Sequence, residues 1–238
     1  MAVNRKMAWR VGLGVAGVLV LALGIAGIVR GTKTPLPPAG ASQQSELPVA
    51  SPPLTTPGVE GFFSPTPGLG DLTYTVQPGD TLTRIARKAG TTVELLRVSN
   101  GIRGDLIRVG QRLKVLQANF SVLVDKSQNT LTLKNGEEVV KIYRCSTGRE
   151  GITPTGTFQI VNRMVDPVWK GIVAPGDPGN PLGTRWLGFD LPQYGIHGTN
   201  EPESIGKSVT DGCVRLANSD VEELYTLLAE GTSVTVVE

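Results

Sequence analysis

The chain has 238 residues, 39% hydrophobic and 18% charged, with two cysteines, one histidine and a net charge of +2. Two cysteines exclude a disulfide-built scaffold, and two separated cysteines with one histidine argue against a zinc site. The charge is uneven: residues 1–33 hold five bases and no acid, leaving 18 bases against 21 acids beyond them. That acidic balance gives no electrostatic case for binding nucleic acid.

Val11–Val29 is an uncharged run of 19 residues, spanning about 28 Å as a helix, close to the ~30 Å hydrocarbon core. Arg5, Lys6 and Arg10 precede it, which favours a cytoplasmic tail at 1–10, a transmembrane helix at 11–29 and an exported remainder. A cleaved signal peptide is the competing reading. Its apolar region is usually ~7–15 residues and is followed directly by a small-x-small site; here the nearest such site outside the run is Ala39-Gly40-Ala41. Residues 30–72 read as an extended linker, with nine prolines and six glycines between Gly31 and Leu72 and only the Phe62-Phe63 pair as an apolar cluster.

The first folded unit is expected at 73–116. Thr73–Val76 reads as a strand ended by the turn Gln77-Pro78-Gly79-Asp80. Leu82, Ile85, Ala86 and Ala89 then recur at helical spacing, with Asp80 or Thr81 as N-cap and Gly90 past the end. Thr91-x-x-Glu94 is a capping-box pattern for a second helix burying Leu95, Leu96 and Val98, closed by Asn100-Gly101; Gly110–Val115 supplies the second strand. This small α+β unit, βααβ, resembles a LysM module through Tyr74-x-Val76, Gly79-Asp80-Thr81-Leu82, Ile85-Ala86, Leu96, Asn100 and Gly110-Gln111-x-Leu113. The resemblance implies binding of N-acetylglucosamine-containing glycans such as peptidoglycan or chitin in a groove between the loops Gly79–Leu82 and Ile102–Ile107, with Gly79, Asp80, Thr81, Ile102 and Arg103 as its contacts. Leu82 and Ile85 are read as core, and Gly79–Thr81 as turn and cap residues that can also meet sugar.

Residues 118–238 read as a predominantly β domain with one C-terminal helix. Strands are expected at Val122–Asp125, Thr130–Leu133, Val139–Tyr143, Gly156–Val161, Trp186–Phe189 and Ser233–Val237, with Asn135-Gly136 as a hairpin turn. The one clear helix is expected to start at Asn218 or Ser219, where Ser219-x-x-Glu222 is a second capping-box pattern, to bury Val221, Leu224, Leu227 and Leu228 and to end at Gly231. His197 lies in Gly-Ile-His-Gly-Thr, and Cys213 follows 16 residues later in Thr-Asp-Gly-Cys-Val-Arg-Leu. A nearby imidazole can take the proton of a thiol and so make it a nucleophile, although an isolated cysteine is more often a small buried hydrophobe. Cys145 is read in that second way, ahead of a disulfide or redox switch with Cys213. Asp166, Asp190 and Asp220 are read as turn and cap residues, and Trp169 and Trp186 as core or rim.

The surrounding residues resemble the L,D-transpeptidase (YkuD-type) family: Ser146-Thr147-Gly148, Thr153-Pro154-Thr155-Gly156-Thr157-Phe158, His197-Gly198-Thr199-Asn200 and Gly212-Cys213-Val214-Arg215-Leu216, then Asn218 and Asp220. Sortase-like enzymes have a far wider His–Cys separation, and papain-like wall endopeptidases place the cysteine first. The resemblance implies a cysteine acyltransferase acting on peptidoglycan stem peptides through a thioester. Cys213 is its nucleophile, His197 its base, Gly212 and Cys213 N–H its oxyanion donors, and Arg215, Tyr194, Thr199 and Asn200 its substrate contacts. No metal or cofactor is implied. The family usually has histidine two residues before the cysteine, where this chain has Asp211, expected either to raise the thiol pKa against Arg215 or to orient His197 or the loop. An L,D-carboxypeptidase using the same thioester and a catalytically decayed wall-binding protein are the alternatives. The whole reads as a single-pass protein of the cell membrane with its C-terminal part in the wall.

Overall fold

The computed structural model describes residues 58–66, 71–171 and 173–238. The membrane anchor expected at Val11–Val29 and most of the expected linker lie outside the described residues. Among the described residues no helix is long and apolar enough to cross a membrane.

The described part of the proline-rich segment is docked rather than extended. A single helical turn, α1 (Glu60–Phe63), follows Val59, which is buried in the core of the C-terminal unit, and Phe62 packs edge-on against Phe120 with ring centroids 5.3 Å apart. Lys114 Nζ donates to the Ser64 and Thr66 carbonyls at 2.9 and 3.0 Å and pairs with Asp71 at 3.1 Å. Both charged side chains of that pair are buried, and the carbonyl bonds supply the further partners that a desolvated ammonium requires. The Phe62-Phe63 pair thus packs on its neighbour, and Val59, which the composition did not single out, joins the core.

The small unit has the expected order: β1 (Leu72–Thr75), α2 (Leu82–Ala89), α3 (Val93–Val98) and β2 (Arg112–Val115). β1 and β2 pair antiparallel with Tyr74 opposite Leu113, and Val76, Leu82, Ile85, Ala86, Leu96, Leu113 and Val115 form its core. Thr81 caps α2 by accepting from Arg84 N–H, and Gly90 ends it in the left-handed region at φ +64°. Two expectations for α3 are corrected. The N-cap is Thr92, not Thr91: its hydroxyl accepts from Leu95 N–H and donates to the Thr226 carbonyl, while Glu94 turns outward to Arg163. Val98 is 47% exposed, because α3 splits its apolar residues between two neighbours: Leu96 faces its own unit and Leu95 enters the core of the larger one. The two units thus share a hydrophobic contact.

The larger unit continues with β3 (Phe120–Asp125), β4 (Thr130–Asn135), β5 (Glu138–Arg144), β6 (Thr147–Gly148), β7 (Gly156–Val165), β8 (Arg185–Phe189), β9 (Gly195–His197), β10 (Ser208–Thr210), β11 (Val214–Arg215), α4 (Asn218–Leu227) and β12 (Ser233–Val237). Eight strands form one sheet in the order β11-β9-β8-β7-β12-β3-β4-β5, and β6 pairs separately with β10. β12 runs parallel to β3, so the chain terminus closes the middle of the sheet. α4 buries Val221, Leu224, Tyr225 and Leu227, with Leu228 just beyond its end. The capping box expected at Ser219 does not form. The helix begins at Asn218, the first of the two expected starts, and ends at Leu227, short of the expected Gly231; its N-cap position is Ala217, and no side chain caps it. Ser219 therefore lies inside the helix rather than at its cap, and the side chain of Asn218, the first helical residue, is used elsewhere, as described next.

Candidate active site

β11 lies parallel beside β9, pairing Val214 with Ile196 and Arg215 with His197. Ile196 and Val214 are fully buried in the core. Strand alternation then sends Arg215 and His197 to the opposite face together, and Cys213 stands immediately before β11. Two strands of two and three residues cannot hold such a register alone, and Asn218 pins them. Its Oδ1 accepts from Thr199 and Thr184 N–H at 2.9 and 3.3 Å, and its Nδ2 donates to the Thr199 carbonyl at 2.9 Å. A Cβ at Gly198 would lie 2.1 Å from that Oδ1, so only glycine lets the side chain in.

His197 is 5% exposed, and its ring stacks on Trp186, its partner across β8, at 5.9 Å and 18°. Its Nδ1 sits 2.6 Å from the Gly198 carbonyl. A carbonyl only accepts, so Nδ1 carries the proton and Nε2 is left with the lone pair. Burial pulls this imidazole down to about 4, aided by the charge of Arg215 and opposed by the Gly198 bond. Cys213 is half-buried and donates to the Gln193 carbonyl at 3.3 Å. Its pKa is raised, first by burial and further by the charge of Asp211; the Gly195 N–H and Arg215 pull the other way. At neutral pH the site therefore holds a thiol and a neutral imidazole, not a preformed ion pair.

The other expected site residues are placed less simply. Gly212 has φ +119°, and a Cβ there would meet Tyr194 Cε1 at 2.6 Å, so the Tyr194 ring walls the nucleophile loop. Gly212 N–H donates to Thr210 Oγ1 at 3.2 Å, and that hydroxyl donates to the Cys213 carbonyl at 2.7 Å. The first of the two expected oxyanion donors is thus engaged within its own turn. Arg215 Nη1 donates to Glu201 Oε2 at 3.0 Å and Ser204 Oγ at 2.9 Å. Thr199 Oγ1 accepts from Glu201 N–H, and Asn200 Nδ2 donates to the Gly179 carbonyl. Asp211 does not touch His197; it pairs with Arg149 Nη2 at 2.5 Å, and the group that orients the imidazole is the Gly198 carbonyl. The sequence disclosed neither Arg149 nor that carbonyl, and it left Trp186 as core or rim, because each acts across strands whose pairing has no local signal.

Cys145 is buried and free, and burial pushes it up to about 12. Asp190 Oδ1 accepts from Gln159 N–H, a turn role as expected.

In the small unit, Asp80 accepts from Tyr74 Oη at 2.7 Å and Gln77 N–H at 2.8 Å, which hold its carboxyl below the usual range. Arg84 Nη1 donates to the Gly79 carbonyl. Ile102 and Arg103, with Asn100, Leu106, Arg108 and Val109, line an open cavity of about 540 Å³; Gly79, Asp80 and Thr81 stand outside its lining.

Comparison with known proteins bears on both units. The profile described as YkuD, L,D-transpeptidase catalytic domain, matches residues 119–236, and that of the LysM domain matches 74–116. The YkuD proteins of Bacillus licheniformis and Bacillus subtilis, both bearing an L,D-transpeptidase name, are 36% and 37% identical over 173 residues, covering 69% of this chain and 98% of each relative. This chain belongs to the YkuD family. A solved L,D-transpeptidase from Mycobacterium smegmatis is 21% identical with a TM-score of 0.44, over 55% of this chain and 65% of that one. Within this YkuD-family chain the LysM domain precedes the catalytic domain, in the order read from sequence.

Proposed function

We propose that this chain is a cysteine L,D-transpeptidase that cross-links peptidoglycan stem peptides, with its LysM domain holding the enzyme to the glycan. The observation that best supports the reading is the register of β11 on β9, which sets Arg215 beside His197 and Cys213 at the entry to β11, with His197 Nδ1 on the Gly198 carbonyl and Nε2 left as proton acceptor.

The chemistry follows from the two neutral groups. The Cys213 sulfur attacks the carbonyl of the third stem residue while Nε2 takes the thiol proton. A carbon–sulfur bond forms. The same proton passes to the departing amine as the bond to the terminal D-residue breaks, leaving a thioester. An amine of a neighbouring stem then attacks the thioester carbonyl and surrenders a proton to Nε2; an amide bond forms as the carbon–sulfur bond breaks, and that proton passes to the sulfur to restore the thiol. Cys213 N–H remains the candidate oxyanion donor. Arg215, held by Glu201 and Ser204, acts on the site through its charge, which favours the thiolate. Water in place of the acceptor amine turns the same thioester into a carboxypeptidase. A catalytically decayed wall-binding protein is disfavoured by the tautomer at His197 and by the ion pair that keeps Asp211 off that ring. The proposal extends to location: residues 11–29 as a single membrane pass, with the tail before them in the cytoplasm and the two domains outside, in the wall.

The test is incubation of the full chain with a disaccharide-tetrapeptide under reducing conditions, read by mass spectrometry, with Cys213→Ala alongside. A cross-linked dimer that has lost one D-alanine, absent from the variant, is the expected result. Tripeptide without dimer establishes the carboxypeptidase. Neither product overturns the enzymatic reading and leaves wall binding.

A further inference from the structure

The arginine of the nucleophile segment is not the cation that the site leaves open. Arg215 is 14% exposed and gives its Nη1 to Glu201 and Ser204. Arg149 is 59% exposed, and its partner Asp211, two residues before the nucleophile, is 91% exposed. The loop carrying Arg149 is firmly built. Lys126 Nζ donates to the Gly151 and Thr153 carbonyls, each at 3.0 Å, and Gly148 N–H donates to Thr153 Oγ1 at 2.7 Å. The same loop abuts the nucleophile turn, with the Ile152 carbonyl oxygen 3.6 Å from where a Cβ on Gly212 would stand. A braced backbone thus presents a guanidinium at the edge of the turn that holds Cys213.

An ion pair between side chains this exposed contributes about 0–1 kcal/mol, so another carboxylate can replace Asp211 at small cost. The reaction proposed above supplies one. Its leaving group is an amino acid with a free carboxylate, one residue (about 3.8 Å between α-carbons) beyond the carbonyl under attack. A guanidinium accepts a carboxylate through two parallel N–H bonds, and trading one carboxylate for another leaves its charge balanced. We infer that Arg149 binds the terminal carboxylate of the donor stem peptide, and that Asp211 is its resting counter-ion, displaced when the donor arrives. This rests on the transpeptidase reading and names the residue that selects its donor.

The experiment compares two tetrapeptide donors, one with a free C-terminal carboxylate and one with a carboxamide, on the full chain and on Arg149→Gln, Arg149→Lys, Asp211→Asn and the Arg149→Gln/Asp211→Asn double variant. Loss of a charge-assisted bond predicts that Arg149→Gln raises KM for the carboxylate donor about tenfold to a hundredfold. The carboxylate-over-carboxamide ratio of kcat/KM falls by the same factor, and lysine restores part of it. Asp211→Asn lowers KM for the carboxylate donor and loses that effect when Arg149 is already glutamine. Equal losses on both donors in Arg149→Gln, with the melting temperature unchanged, would overturn the assignment, as would a ratio near one in the unmodified chain. Turnover of neither donor by the unmodified chain overturns the transpeptidase reading itself, and the role of Arg149 falls with it. Thermal melts of every variant separate these outcomes from misfolding.

Discussion

At one end of the eight-stranded sheet, β3, β4, β5 and β12 run five to seven residues each; at the other, β9 and β11 have three and two. The long strands bury alternate side chains, Val122 and Val124 on β3, Leu131 and Leu133 on β4, Val234 and Val236 on β12, and need nothing beyond that alternation and their hairpins. The short strands are held from outside by Asn218, by Trp186 over His197, and by the Ser146–Arg215 bridge that ties them to the neighbouring segment. The first end is held by buried area and tolerates approximate fit. The second is held by a few directed bonds, and each of those bonds also sets the orientation of a reactive group. Damage at the first should therefore appear as lost stability, and damage at the second as lost chemistry.

The sharpest division comes from the imidazole. Replacing His197 with glutamine removes the proton acceptor while keeping much of the side-chain volume, and a positioned general base contributes about 10²–10⁴ in rate. The expectation is a loss of that order in thioester formation, followed by mass spectrometry of the acylated chain, with the denaturant midpoint little changed. A variant that acylates at the unmodified rate would remove His197 from the chemistry. Leu131→Ala is the counterpart at the other end. Leu131 is fully buried, and truncating such a residue costs about 2–5 kcal/mol. Denaturant unfolding should register that cost, whereas the acylation rate of the molecules still folded should be unchanged. If the rate falls along with the stability, the two ends of the sheet are coupled and the division fails.

Which of these features could be read in advance follows from the same contrast. The strands of the scaffold end were legible because β-branched alternation is a local property of the sequence, and β12 was placed at its exact residues. The βααβ order of the small unit was legible from turn and cap residues, although Thr92 rather than Thr91 became the cap because its hydroxyl also reaches Thr226 in the other unit. β6, β9, β10 and β11 were not legible: two or three residues carry no period, and their pairing depends on Asn218 and on strands distant in the chain. His197 and Cys213 stood out by residue type and spacing. What surrounds them did not, since a backbone carbonyl such as that of Gly198 has no sequence signature at all, and Arg149 meets Asp211 only through a 62-residue return of the chain. Val59 was hidden by the prolines around it, whereas the Phe62-Phe63 pair stood out as an apolar cluster.

Acid makes a further separation. An unfolded imidazole takes up a proton as pH falls through about 6.5, whereas the buried His197 stays neutral until about 4. Across that window the unfolded state binds more protons than the folded one, so folding stability is lost as the pH falls and recovers as it rises. The two values set an upper bound of about 3 kcal/mol. Titrating carboxylates add their own acid dependence, so the quantity to measure is the difference between the unmodified chain and His197→Gln in urea midpoints from pH 7 to pH 4. Starting from similar midpoints at pH 7, the two curves should separate on acidification, the unmodified chain losing stability that the variant, with no histidine to charge, keeps. Parallel curves would mean that His197 takes up its proton over the same range folded and unfolded, so that burial does not hold the imidazole neutral.

The smallest effect concerns Asp211, where charge alone is at issue. Its carboxylate pushes the Cys213 thiol up, behind burial and against Arg215 and the Gly195 N–H. Because the side chain is almost fully exposed, that push is screened within a Debye length of about 8–10 Å at physiological salt. Asp211→Asn should therefore lower the apparent pKa of thiol alkylation modestly in dilute buffer, with the difference shrinking as sodium chloride is added. Leu131→Ala should leave the same titration where it was, since nothing at the scaffold end carries charge to the sulfur. A shift in Asp211→Asn that survives molar salt would point instead to a rearranged nucleophile turn. In that case the Arg149–Asp211 pair would hold the turn's shape as well as its charge, and the exposed rim of the site would belong mechanically with its buried strands.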